Sequence, residues 1–120
     1  MKLHHYRTRI EWTGNRGEGT TGYTAYDRAY TVSAYGKPDI EGSADPAFRG
    51  DASRWNPEEF LLAGLSACHK LWYLHLCAVN GVTVMAYEDE SEAVMDETAG
   101  RFVSARLKPR VMVSAGSDVE

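Results

Sequence analysis

Residues 56–80 decide what this chain can fold into. The run opens on Asn56, Pro57, Glu58 and Glu59, with Asn56 suited to cap a helix, Pro57 to its first position and Glu59 to its third. Apolar residues then dominate from Phe60 to Val79, and Asn80-Gly81 supplies a stop. A helix from Pro57 to about Asn80 is therefore predicted, roughly 36 Å long at about 1.5 Å per residue. That is about the length of a membrane span. However, Ser66, His69, Lys70 and His75 interrupt the apolar run, which predicts a buried helix of a soluble fold. Nearly every face of the helix middle is apolar, so it must be covered all round. A chain of 120 residues has little left to surround it, and two copies sharing their helices in one core solve the problem.

The flanks read as strands. Thr8–Trp12 alternates, glycines at 14, 17 and 19 mark a turn, and Tyr23–Tyr26 and Tyr30–Tyr35 carry the β-branched and aromatic residues of a sheet. Gly36-Lys37-Pro38 is a further turn, and Gly42–Trp55 reads as a loop leading into the helix. After Gly81, Val82–Glu88 is a strand and an acidic segment follows. Arg101–Leu107 and Arg110–Ser114 read as a strand interrupted near Pro109. Strands, one long helix, then strands predict a single α+β domain over residues 1–120, with an antiparallel sheet wrapped on a central helix.

The net charge of −4, with basic residues scattered, argues against nucleic acid as a partner. The polar start, Met1–Arg7, has no apolar export segment. Two cysteines without such a segment predict reduced thiols and a cytoplasmic location, with no membrane association. No CxxC or paired-histidine spacing is present, so neither metal nor cofactor is expected.

Cys68 and Cys77 fall nine residues apart on the predicted helix, half a turn out of phase and about 13.5 Å apart along the axis. A disulfide needs Cα atoms within about 7 Å, so the two cannot bridge in one subunit. Cys77 lies in the apolar run Leu74–Val79 and reads as core filler. Cys68 follows the small residues Gly64, Ser66 and Ala67, which leave room for a substrate or another backbone, and precedes His69 and Lys70. If Cys68 reacts, it does so as a thiolate, which requires a cation nearby. Arg16, Arg28, Arg49 and Arg54 are the candidates, with Glu58 the carboxylate to hold one of them. Alternatively, Glu58 is a first-turn acid that only complements the helix dipole. Glu58 lies ten residues before Cys68, about 15 Å along the helix, so a joint site would draw one of them from a partner subunit.

The segment Asn56–His69 resembles the signature of the OsmC/Ohr proteins, the osmotically inducible and organic-hydroperoxide-resistance proteins, and is closest to the OsmC-like branch. The likeness extends to Gly42–Asp51, Leu71–Leu76, Tyr87–Asp89 and Ala115–Asp118. It implies an intertwined homodimer with two long central helices and sites at the subunit interface. It also implies reduction of organic hydroperoxides and hydrogen peroxide through a thiol, in oxidative or osmotic stress defence. Carried over by position, Cys68 is the peroxidatic cysteine, Glu58 the family's glutamate, and Arg28, placed in a strand before the helix loop, the arginine that steadies the thiolate. The family's second cysteine follows the Ala-Gly-Ser-Asp segment near the start of a C-terminal helix, whereas this sequence stops at Glu120 with a helix cap at Ser117 or Asp118. The chain therefore reads as shortened at its C-terminus, and turnover as dependent on an external thiol or dithiol reductant. Two other readings stand beside this one. An OsmC-fold dimer could hold a small apolar ligand with Cys68 as an unreactive wall, or a degenerate fragment could fold and do no chemistry.

Overall fold

The computed structural model of the chain describes residues 2–116, so the helix cap expected at Ser117 or Asp118 lies outside the described residues. The chain forms two compact units, Met1–Pro57 and Glu58–Glu120.

The first unit is a three-stranded antiparallel sheet of β1 (Arg9–Trp12), β2 (Tyr30–Ser33) and β3 (Ile40–Gly42), in that order. Trp12 pairs with Tyr30, and Tyr30 with Gly42. The Tyr30 ring lies so close over Gly42 that a Cβ there would come within 2.5 Å of it. Tyr23–Tyr26, expected as strand, is a series of turns. Its backbone groups find partners locally: Ala25 N donates to Gly22 O, and the Arg16 guanidinium takes Thr24 O. The expected loop Gly42–Trp55 carries more order than its composition suggested. It holds the end of β3, a short 3-10 turn at Pro46–Phe48 capped by Asp45, and a bridge between Gly42 and Trp55. Ser43 N donates to Trp55 O at 2.8 Å, and Ser43 is only 1% exposed.

The second unit holds the helix α1 (Pro57–Val79), which agrees with the expected boundaries to within a residue. Gly81 adopts φ +76°, and Val82 N donates to Cys77 O at 2.9 Å, the capping bond of a left-handed stop. Four strands follow: β4 (Val84–Asp89), β5 (Glu92–Asp96), β6 (Arg101–Arg106) and β7 (Pro109–Val113). β4 pairs with β7 and β5 with β6, both antiparallel. The connectivity is one long hairpin broken once in each arm, at Glu90-Ser91 and at Leu107-Lys108, the second break falling just before Pro109 as expected. The acidic segment, not expected as strand, forms β5. Its charges at Glu92 and Asp96 point to solvent while Ala93 and Met95 turn inward. Among the described residues the architecture is α+β, one long helix with antiparallel strands, and the antiparallel pairing falls into three separate sheets.

Among the described residues no hydrophobic side chain is fully buried. Along α1, Leu61, Leu71, Trp72 and Val79 each keep more than three-fifths of their surface open. The helix expected to be buried and covered all round therefore has no buried residue among those described in a single copy of the chain. Among the described residues no helix is long and apolar enough to cross a membrane, and no group of three or more His, Cys, Asp or Glu side chains could hold a metal.

Candidate functional site

α1 turns one face toward β4. At about 100° per residue, Ser66, His69, Tyr73 and Cys77 fall on a single stripe, and the contacts follow it. The Ser66 hydroxyl donates to an Asp89 carboxylate oxygen through a very short hydrogen bond. His69 Nδ1 lies 3.3 Å from the Tyr87 hydroxyl, and the Tyr73 and Tyr87 rings meet at 5.8 Å. Burial pushes both tyrosine hydroxyls above their ordinary pKa, with a hydrogen bond to Cys77 adding to the effect at Tyr73 and the Asp89 charge at Tyr87. Asp89 is itself held from the far arm of the hairpin, where Lys108 N donates to its Oδ1 at 2.6 Å. Lys108 Nζ then reaches Glu92 Oε1 at 2.7 Å, and this contact holds the Glu92 carboxyl below the usual carboxylate range.

Cys68 lies between Ser66 and His69 in sequence but on the opposite side of the helix. It is a free, exposed thiol, whereas Cys77, on the β4-facing stripe, is half-buried. Leu61, Leu71, Trp72, His75 and Val79 share the outward side with Cys68. Leu71, Trp72 and His75 line an open hollow of about 280 Å³ there.

Glu58 is half-buried in the first turn of α1, ten positions before Cys68. Since the helix runs unbroken between them, about 15 Å of axis separates the two, and one copy of the chain does not bring them together. Arg28 belongs to the first unit and is not on a strand: it sits in the extended segment just before β2. Its guanidinium is clamped between the Tyr23 and Tyr26 rings, 4.5 and 3.9 Å from their centroids. Nη1 donates to Tyr26 O at 2.7 Å, while Nη2 is shut off from water without an acceptor. Arg28 is therefore fixed in place by stacking and left with an unmet donor.

Tyr87 and Asp89 enter the sequence reading only as part of the family-like segment Tyr87–Asp89, with no role assigned, and the tyrosine clamp has no counterpart there. The spacing of Ser66, His69, Tyr73 and Cys77, three, four and four residues, is the signal that marks their common face. The strand residues that meet that face follow no local pattern.

A sequence model of the family described as OsmC-like protein matches residues 50–120, which include α1, Cys68 and the whole hairpin. The fold is similar to that of an OsmC-like protein of unknown function from Vibrio cholerae O1 biovar eltor, with a TM-score of 0.83 and 26% sequence identity. That likeness covers 98% of this chain and 80% of the other. No curated protein matches the chain.

Proposed function

Because the chain belongs to the OsmC-like family, we propose that it is a thiol-dependent peroxidase that reduces organic hydroperoxides and hydrogen peroxide in oxidative or osmotic stress defence. The observation that carries this reading is the placement of Cys68: a free thiol, exposed on α1 within the family-matched residues, and surrounded by apolar side chains. In the reaction the Cys68 thiolate attacks the terminal oxygen of the peroxide. The S–O bond forms as the O–O bond breaks, and the departing alkoxide takes a proton to leave as alcohol. Sulfur is oxidised to a sulfenic acid and the peroxide is reduced. A thiol or dithiol reductant attacks that sulfur, releases water and forms a mixed disulfide. A second thiol then returns Cys68 to its reduced state. Cys77, nine residues further along the same helix and half a turn out of phase, does not take the place of that reductant.

Arg28 steadies the thiolate and Glu58 orients the arginine. The distance along α1 between Glu58 and Cys68 favours a homodimer in which each copy completes the site of the other. The uncovered leucines of α1 and the dimeric habit of the family support the same arrangement. Two unpaired thiols fit work in the cytoplasm.

The test is to treat reduced protein with cumene hydroperoxide in the presence of a sulfenic-acid trap and locate the adduct by mass spectrometry. The adduct is expected on Cys68 and absent from Cys68→Ser. An adduct elsewhere, or none, rules the peroxidase out. The hollow lined by Leu71, Trp72 and His75 favours a second reading, in which the dimer holds a small apolar ligand without redox turnover. That reading predicts peroxide-insensitive protein that still takes up an apolar dye displaceable by fatty acids.

A further inference from the structure

The chain has three asparagines and no glutamine, so only Asn15, Asn56 and Asn80 carry a side-chain carboxamide. A carboxamide is lost when the backbone nitrogen of the following residue attacks its carbon, which requires an N–H to give up and an open approach. Asn56 precedes Pro57, whose nitrogen has no proton. Asn15 precedes Arg16, and its Oδ1 is tied down by Gly17 N at 2.9 Å and Gly19 N at 3.0 Å. Asn80 precedes Gly81, and both are exposed. A Cβ built on Gly81 would meet nothing within 4 Å, and Gly81 N makes no hydrogen bond among the described residues. Its proton is free to pass to water, and no side chain obstructs the attack.

Asn80 is also the residue that finishes α1. Its backbone N donates to Cys77 O at 3.2 Å, the tightened bond of a final turn. Its side chain takes the next carbonyl back, with Nδ2 donating to Leu76 O at 2.8 Å. Little packing holds this turn, since Leu76 and Val79 are 53% and 63% exposed, so it frays at small cost. Fraying releases the carboxamide from Leu76 O and lets Cγ reach Gly81 N. The last turn carries no basic side chain, and the end of a helix bears a negative partial charge. A carboxylate at position 80 would therefore be repelled by the helix end and would offer Leu76 O no donor.

We propose that Asn80 is a site of spontaneous deamidation, a covalent change that loosens the last turn of α1. Gly81 N loses its proton to water and attacks Asn80 Cγ. The N–Cγ bond forms, the Cγ–Nδ2 bond breaks, and the amide nitrogen takes a proton and leaves as ammonia. Water then adds at one of the two carbonyls of the resulting succinimide and opens the ring, which leaves aspartate or isoaspartate at position 80. Nothing is oxidised or reduced, and water is the only co-reactant. No thiol takes part, so the site stands whether or not Cys68 reacts with peroxides.

The experiment is to hold the reduced full chain in mildly alkaline buffer at physiological temperature, with a second sample in urea as the unfolded reference, and to follow both by intact mass and peptide mapping. Aspartate and isoaspartate are expected at position 80 before any change at Asn15, with Asn56 unaltered. The folded chain is expected to convert no more than about a hundredfold more slowly than the chain in urea, because a frayed turn opens at small cost. Asn80→Asp, which installs one of the products directly, is expected to lower the melting temperature by about 4 °C. Cys68→Ser is expected to deamidate at the rate of the unmodified chain, which keeps this test apart from that of the peroxidase reading. Conversion of Asn15 ahead of Asn80, or a folded chain slower than that limit, would overturn the proposal. So would an unchanged melting temperature in Asn80→Asp, since the change would then loosen nothing.

Discussion

The two units of this chain solve the problem of a small core in opposite ways. Residues 1–57 rely on backbone packed against backbone. A Cβ at Gly50 would come 1.7 Å from Ala44 O, one at Gly14 would come 1.9 Å from Asp27 O, and Ser43 is almost wholly enclosed. In the helical unit, Gly64 on α1 has nothing within 4 Å of where its side chain would begin, and the leucines beside it stand open. The first unit is specified by close approach and local hydrogen bonds and has little apolar burial to offer. The second has a large apolar surface and holds its helix mainly along the β4-facing stripe. Shape determines the one unit, and in the other the apolar surface waits for a cover.

The sharpest way to break this contrast is Gly50→Ala. Backbone cannot move aside as a side-chain tip can, so a loss of about 3 kcal/mol is expected in urea denaturation, with hydrogen-exchange protection falling in residues 43–55. An unchanged midpoint would mean the close approach is not a constraint. Ser66→Ala should come next, because it removes the donor that Asp89 holds from the helix. About 1.5 kcal/mol is expected from the same measurement, and a neutral result would show that Lys108 N alone satisfies the carboxylate. Gly64→Ala should go the other way and raise stability by about 1 kcal/mol, since alanine is the better helix former and nothing crowds the site. A loss instead would reveal a backbone packed on that face in solution.

The smallest effect expected is one of pH. Asp51 in the first unit and Glu92 in the second both titrate below their ordinary values of 3.8 and 4.5. Each contributes stability that is present above those values and lost as pH falls through the lower folded ones. The melting temperature should therefore drop between about pH 5 and 3, and Asp51→Asn and Glu92→Gln should each flatten part of that limb. Both groups are solvent-exposed, so neither should flatten it by much.

What the sequence displayed of this molecule follows the same division. α1 could be read almost to the residue because its start chemistry at Asn56-Pro57, its apolar run and its stop at Asn80-Gly81 are all local. The break before Pro109 was legible for the same reason. β5 was not, because four acids in Glu88–Glu92 mask a short alternation that becomes a strand only by pairing with β6. Tyr23–Tyr26 had strand composition, yet its tyrosines serve as a clamp for Arg28 and its carbonyls are taken by side chains. The candidate residues Cys68, Glu58 and Arg28 could be named from motif position. That Glu58 and Cys68 are far apart within one copy also followed from helix geometry. The partners of Ser66 and His69 come from more than fifteen residues away, and no local pattern reports them.

The attachment of α1 to β4 has one more consequence. Ser66, His69 and Tyr73 pin the helix at three successive levels, so it cannot roll about its own axis without breaking all of them. With the roll angle fixed, the sulfur of Cys68 is presented at a set bearing, in the midst of Leu61, Leu71, Trp72 and Val79. Anything that comes to shelter those side chains from water must also close over the thiol or wall it in. Concealment of the greasy surface and exposure of the sulfur to oxidant are thus a single variable. The rate at which a small alkylating reagent finds Cys68 becomes a direct gauge of how well the helix is sheltered.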